Sequence, residues 1–122
     1  MENLPVRVIL TVQCKNMKSP KEQRYKFNQT IEAGFWHLVE HKEAITHENL
    51  TVSTTTDWCR DFKARKNPQQ ILKSARNLLL RAAEYADVLE MDALITIGDN
   101  PPETFSHYTA QASDYFKTKS YR

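Results

Sequence analysis

The sequence predicts an α+β domain: a small, mainly antiparallel sheet, made of an N-terminal hairpin and one or two further strands, with three to four helices packed on it. Two patterns indicate this class. Residues 6–15 alternate apolar and polar side chains as a strand does. From residue 68, apolar side chains recur every three and four positions, as on the buried face of a helix. The 122 residues suit a single domain over 1–122, with a frayed C-terminal tail.

The first 56 residues are expected to form most of the sheet. Residues 6–15 are rich in β-branched side chains and predict the first strand. Ser19-Pro20 indicates a turn, and the alternation over 23–28 predicts a second strand that returns as a hairpin partner. Residues 30–46 change to three- and four-residue spacing and predict a helix, and the threonine-rich run 50–56 predicts a third strand.

The second half is expected to be mainly helical. Asp57 is a suitable cap for a short helix over 57–66. Asn67 and Pro68 are typical of a helix start, so the long helix is placed at about 68–91. Residues 93–97 are compatible with either a short strand or more helix, and β-branched residues favour the strand. Acidic residues and prolines at 99–103 predict the start of a last helix.

Composition excludes several classes of function. The chain has two glycines, Gly34 and Gly98, and this excludes glycine-rich phosphate loops, the dinucleotide fingerprint and the nucleophile elbow. No apolar run is long enough to cross a membrane, and the start lacks the basic residues of a signal peptide. Cys14 and Cys59 form no metal-binding spacing. We therefore expect a cytoplasmic protein with no cofactor and no membrane association.

Charge is distributed in blocks along the chain, although the net charge is only +2. Residues 1–30 carry six basic and two acidic side chains, and residues 57–81 carry seven and two. This pattern predicts a non-enzymatic binding or regulatory module whose basic hairpin and helix face engages a polyanion (nucleic acid or a phosphorylated ligand) or an acidic protein. Tyr25 and Trp58 lie among these charges and could stack on bases. The predicted contacts are Lys21, Arg60, Lys63, Lys73, Arg76 and Arg81.

The acidic C-terminal third supports an alternative. Residues 82–116 carry seven acidic and no basic side chains. In this interpretation the chain is an accessory or inhibitor protein, of the kind found in mobile elements, that docks on a basic protein through Glu84, Asp87 and Glu90. Complementary blocks within one chain also suit a homodimer.

A second alternative is a small metal-dependent hydrolase. His37, Glu40 and His41 fit the pattern H-x-x-E-H. On a helix the two imidazoles would share one face and could hold a metal, with Glu84 or Glu90 as a third ligand and Glu40 as base. Three fixed positions also recur by chance, so no metal site is assigned and His37, His41 and Glu84 stand as candidates only.

Overall fold

Five strands and two helices make up the part of the chain that the structure describes, which comprises residues 4–46, 51–63 and 67–108 of a computed structural model. The elements are β1 (Val6–Met17), α1 (Pro20–Ala33), β2 (His37–Thr46), β3 (Thr51–Phe62), α2 (Pro68–Tyr85), β4 (Glu90–Ile97) and β5 (Glu103–Tyr108). Every neighbouring pair of strands is antiparallel, and the strand order is β2-β3-β1-β4-β5. The first six elements therefore have the β-α-β-β-α-β order of a ferredoxin-like domain.

The helices cover one face of the sheet. Val8, Leu10 and Val12 of β1 are fully buried, whereas Arg7 and Ile9, on either side of Val8, are exposed. Because successive side chains of a strand point to opposite faces, one face is covered and the other is not. The two helices contact each other and the sheet, so both lie on the covered face. We call this the helix face and the uncovered side the open face.

Trp58 of β3 lies at the centre of the core. Its indole N–H donates to Thr56 Oγ1 at 3.0 Å, which satisfies the one polar group of a fully buried side chain. Phe27 and Ile31 of α1 and Leu79 of α2 are also buried. The fold thus depends on apolar burial between one sheet face and two helices.

The predicted number of helices is wrong, because two helices and a five-stranded sheet are observed instead of three to four helices on a smaller sheet. Residues 57–62 continue β3, where Asp57 lies opposite Thr11. The expected last helix is replaced by a turn and β5. In that turn the Asn100 N–H donates to the Ile97 carbonyl, and Gly98 adopts a left-handed φ of 57°.

The predicted hairpin is absent, because residues 23–28 lie in α1. Ser19 and Pro20 begin this helix, as Asn67 and Pro68 begin α2. The Ser19 N–H donates to the Gln23 side chain at 2.9 Å. The alternation over 23–28 was misleading, since Phe27 and Ile31 form the buried stripe at helical spacing.

The helix predicted over 30–46 is also wrong beyond residue 33, because residues 37–46 form β2. A bulge interrupts the register between Leu38 and Glu40. The extra residue places Leu38 and His41, three positions apart, on the same face of the strand. Because of the bulge, residues three positions apart share a face in this strand, as they do in a helix, and this spacing led to the helix prediction.

Other predictions are confirmed in part. The strands expected over 6–15 and 93–97 are present, and most of 50–56 lies in β3. The long helix begins at Pro68, where the Gln69 N–H donates to the Asn67 side chain at 2.8 Å, but it ends at Tyr85 instead of about 91. Residues 64–66 and 109–122, with the expected frayed end, lie outside the described residues. Neither described helix is long and apolar enough to span a membrane.

Candidate functional site

A groove of about 410 Å³ lies between α1 and α2 on the outer surface of the helix layer. It exists because the helices approach closely at Gly34, where an added Cβ would lie 2.7 Å from Leu78 Cδ2. Its lining combines hydrogen-bonding and apolar groups. The lining residues are Gln29, Thr30, Ala33, Gly34, Leu78, Arg81 and Tyr85.

Two cations lie at this groove. Arg81 is exposed and makes no ion pair with any carboxylate of the described residues. Lys26 Nζ lies 5.7 Å from the centre of the Tyr85 ring, a cation–π distance. Lys26 also pairs with Glu22 at 3.2 Å, one turn earlier on α1. Positive charge, amide and hydroxyl groups and an aromatic ring therefore meet in one place.

The six predicted contact residues do not form one cluster. Lys21 is exposed near the start of α1, and Lys63 follows the end of β3. On α2, Arg76 and Arg81 lie about 140° apart around the helix axis, so they occupy different flanks. The Arg76 Nε is buried without a hydrogen-bond partner among the described residues. Still, none of the six is in an ion pair within the described ranges.

Arg60, one of the predicted contact residues, makes contacts within the protein that stabilise the fold. Its guanidinium donates to the Gly34 carbonyl at 2.8 Å. It also lies 4.4 Å from the centre of the Phe62 ring and 5.7 Å from that of Phe35. The side chain therefore ties the end of α1 to β3.

The basic residues of the expected hairpin lie on both sides of the sheet. Lys15 is on the open face and pairs with Asp92 at 2.5 Å. Arg24 is on α1 and pairs with Glu43. The two possible stacking residues also differ, because Tyr25 is 69% exposed whereas Trp58 is fully buried and unavailable to a ligand.

The two histidines of the metal hypothesis do not share a face. His37 lies opposite Cys59 on the open face, and His41 lies opposite Thr56 on the helix face, because of the bulge between them. His41 Nε2 instead lies 3.1 Å from Arg24 Nη1. No group of three potential metal ligands occurs in the described part of the chain.

The acidic residues of the docking hypothesis are also divided. Glu84 is exposed on α2, and Asp87 lies in the turn that follows. Glu90 begins β4 on the open face and accepts a hydrogen bond from Asn16. Glu90 therefore lies on the other side of the sheet from α2, whereas Glu84 and Asp87 are neighbours, with the Asp87 N–H donating to the Glu84 carbonyl at 3.3 Å.

Sequence reasoning missed a polar cluster on the open face. Asp92 accepts hydrogen bonds from Ser106 Oγ at 2.6 Å and from Tyr108 OH at 2.8 Å, besides its pair with Lys15. These interactions, led by Lys15, lower the pKa of Asp92 to about 2. The alternation at Phe105 and His107 was the available signal for β5, and the acidic, proline-containing start concealed it.

A hollow of about 350 Å³ adjoins this cluster and crosses four strands. Half of the residues that line it carry a hydroxyl group, and the lining surface is mainly apolar. The lining residues are Thr11, Gln13, Thr55, Asp92, Ala93, Leu94, Thr104 and Ser106. The Asp92 oxygens are already engaged by three neighbouring side chains, so the cluster is explained by its role in holding β5 to β4 and β1.

Comparison with known proteins informs the fold. No protein-family model and no curated protein matches the sequence. Among solved structures, the chain is similar to a phage SAM lyase in its apo state, with a TM-score of 0.57 and 7% sequence identity. The likeness covers 91% of this chain and 94% of that one. At this identity the likeness shows a common fold.

Proposed function

We propose that this chain is a small binding module that holds a phosphorylated ligand in the groove between α1 and α2. The observation that carries the proposal is the unpaired, exposed guanidinium of Arg81 on the wall of that groove. A guanidinium offers several N–H donors in a fixed plane and binds phosphate oxygens in pairs. Gln29 on the facing helix adds an amide donor, whereas the Thr30 hydroxyl already donates to the Lys26 carbonyl at 3.2 Å.

Lys26 and Tyr85 extend the same chemistry. The Lys26–Glu22 pair is on the surface and contributes little to stability, so Lys26 can exchange its partner for a phosphate at small cost. The Tyr85 side chain is 55% exposed and offers a face on which a base can stack. This combination favours a nucleotide or a short single-stranded nucleic acid over a simple phosphate.

The distribution of charge between the helices and the open face of the sheet also favours anion binding on the helix side of the molecule, where the groove lies. The helices carry six basic residues, Lys21, Arg24, Lys26, Lys73, Arg76 and Arg81, against three acidic ones, Glu22, Glu32 and Glu84. Among the described residues, the open face carries three lysines and arginines, Arg7, Lys15 and Lys42, and each pairs with a carboxylate there. A polyanion is therefore attracted to the helix layer and repelled by the acids of the open face.

The remaining predicted contacts have different roles in this proposal. Lys21 and Lys73 are exposed outside the groove and add long-range attraction. Arg60 supports the groove indirectly, because it holds the carbonyl of Gly34.

Binding of fluorescein-labelled single-stranded oligothymidine and of ATP tests the proposal. Affinity should fall steeply between about 50 and 200 mM salt, because phosphate binding releases counterions. Arg81→Gln should weaken binding about tenfold, since a charged hydrogen bond to phosphate is lost. The matched control Lys73→Gln, on the same helix but outside the groove, should change affinity by no more than about threefold.

The two probes separate the ligand classes. Binding of both supports recognition of a phosphate group, and binding of the oligonucleotide alone supports a nucleic acid. If neither ATP nor the oligonucleotide binds at low salt, the proposal is contradicted. Equal affinity of Arg81→Gln and the unsubstituted protein contradicts the site.

A second candidate function comes from the fold comparison. The similar structure is that of a phage SAM lyase, and the likeness extends over nearly all of both chains. Its supporting observation in this chain is the hollow of the open face, a mainly apolar site with a few hydroxyl groups, whose size falls within the range of small-molecule sites. Chromatography of SAM incubated with the purified protein tests it, and unchanged SAM removes this candidate.

A further inference from the structure

The edge strand β2 has the features of a self-pairing surface. It lies at one end of the sheet, so its outer backbone groups have no strand partner among the described residues. It is ten residues long and contains no proline. Proteins usually protect such edges with short strands, prolines or bulges, and β2 has one bulge, at its N-terminal end.

Apolar side chains concentrate at the same edge. Phe35, just before β2, is 73% exposed, and Leu38 and Val39 within it are 43% and 63% exposed. Three large apolar side chains within five positions at an open backbone edge are typical of a surface that another strand covers.

The charges of β2 favour one particular partner. Glu40 and Lys42 lie on the open face on either side of His41, and they contact each other at 3.5 Å. In an antiparallel pair centred on His41, Glu40 of one copy lies opposite Lys42 of the partner subunit, and the converse holds on the other side. Two opposite-charge cross-strand pairs form at once.

Neighbouring registers lack this complementarity. Centring the pair on Lys42 places two lysines opposite each other, and centring it on Glu40 places two glutamates opposite each other. Like charges directly opposite each other destabilise a strand pair. The charge pattern of the strand is therefore most complementary to a second copy of itself in the register centred on His41.

We propose that this protein forms a two-fold dimer in which β2 pairs antiparallel with β2 of a second copy, centred on His41, so that the two sheets become continuous. Such an isologous contact closes on itself and leaves no further free edge at β2. The contact is made by β2, which contributes no residue to the lining of the groove, so it does not depend on the phosphate-binding proposal.

Sedimentation equilibrium of a charge-exchange series tests the proposal. The unsubstituted protein should dimerise, and Lys42→Glu should raise the dimer dissociation constant about tenfold, because both cross-strand pairs become repulsive. The double variant Glu40→Lys/Lys42→Glu restores opposite charges and should return the constant to within about threefold of the original value. The control Lys18→Glu makes the same charge change in the exposed segment between β1 and α1 and should leave the constant unchanged.

Circular dichroism establishes that each variant is folded. Recovery of the dimer by the double variant, with an unchanged monomer stability in urea unfolding of Lys42→Glu, supports the stated register, because a loss of the Glu40–Lys42 contact within one chain would lower monomer stability instead. A monomer at all accessible concentrations overturns the proposal. A dimer that is insensitive to Lys42→Glu, or that the double variant does not restore, also overturns it, because association then uses another surface.

Discussion

Replacing Asp92 with asparagine tests how the last strand is held to the sheet. Asp92 of β4 accepts hydrogen bonds from Ser106 and Tyr108 of β5, and it forms an ion pair with Lys15 of β1. The substitution keeps the shape of the side chain and removes its charge. We expect it to weaken the attachment of β5, which pairs with β4 and with no other strand in the described part of the chain.

The pKa of Asp92 gives the magnitude of the effect. Its pKa is lowered from 3.8 to about 2, first by the hydrogen bond from Lys15 and then by that from Ser106. A shift of this size corresponds to at most about 2.5 kcal/mol. The Asp92 side chain is 35% exposed, so solvent screening reduces the expected contribution to about 1 kcal/mol.

The sign of the pH dependence follows from the direction of the shift. Because the folded-state pKa lies below that of the unfolded chain, the stabilisation is fully present above about pH 4 and is lost as the pH falls through about 2. The free energy of unfolding of Asp92→Asn should therefore be about 1 kcal/mol below that of the original protein at neutral pH, with a difference that shrinks in acid.

Urea unfolding, followed by circular dichroism at a series of pH values, measures this difference. Asp99→Asn is the control, because Asp99 is exposed in the turn after β4 and makes no ion pair with a described residue. If Asp92→Asn is equally destabilising at pH about 2 and about 7, the charge of Asp92 is not the source of the stabilisation.

Two further predictions concern the turn after β4 and the thiols. Gly98 has a φ of 57°, in the left-handed region that an alanine side chain disfavours. Gly98→Ala should therefore lower the free energy of unfolding by about 1 kcal/mol, as measured by urea unfolding. An unchanged stability would contradict a need for glycine in this turn. Burial raises the pKa of the Cys14 thiol to about 12, whereas Cys59 is half-buried. We therefore expect an aromatic disulfide reagent to label Cys59 in the native protein and Cys14 only after unfolding. Mass spectrometry identifies the labelled cysteine. Labelling of Cys14 in the native protein would contradict its burial.

The sequence was most informative where local chemistry and burial agree. The alternation of β1 and the Asn67-Pro68 start of α2 predicted those elements, because one side of each element faces the core. The pattern failed where an irregularity changed the period. The bulge beside Val39 made β2 resemble a helix, and this error also created the apparent metal pair of His37 and His41.

The candidate site was less accessible to sequence reasoning than the fold. Arg81 was named from its charge alone, and its position in a groove depends on the approach of α1 to α2 at Gly34. Asp92 and Tyr108 are sixteen positions apart, and their contact follows from the register of β4 and β5. Side-chain type was visible in the chain, but proximity between elements was not.

The amino-acid order by itself determined the charge blocks, the scarcity of glycine and the elements whose apolar period is uninterrupted, because these are properties of adjacent or regularly spaced residues. The tertiary structure alone decided which cations remain unpaired, which face of the sheet stays open and where the two helices leave a groove. Those features depend on contacts between residues far apart in the chain, and such contacts are fixed only when the strands and helices pack together.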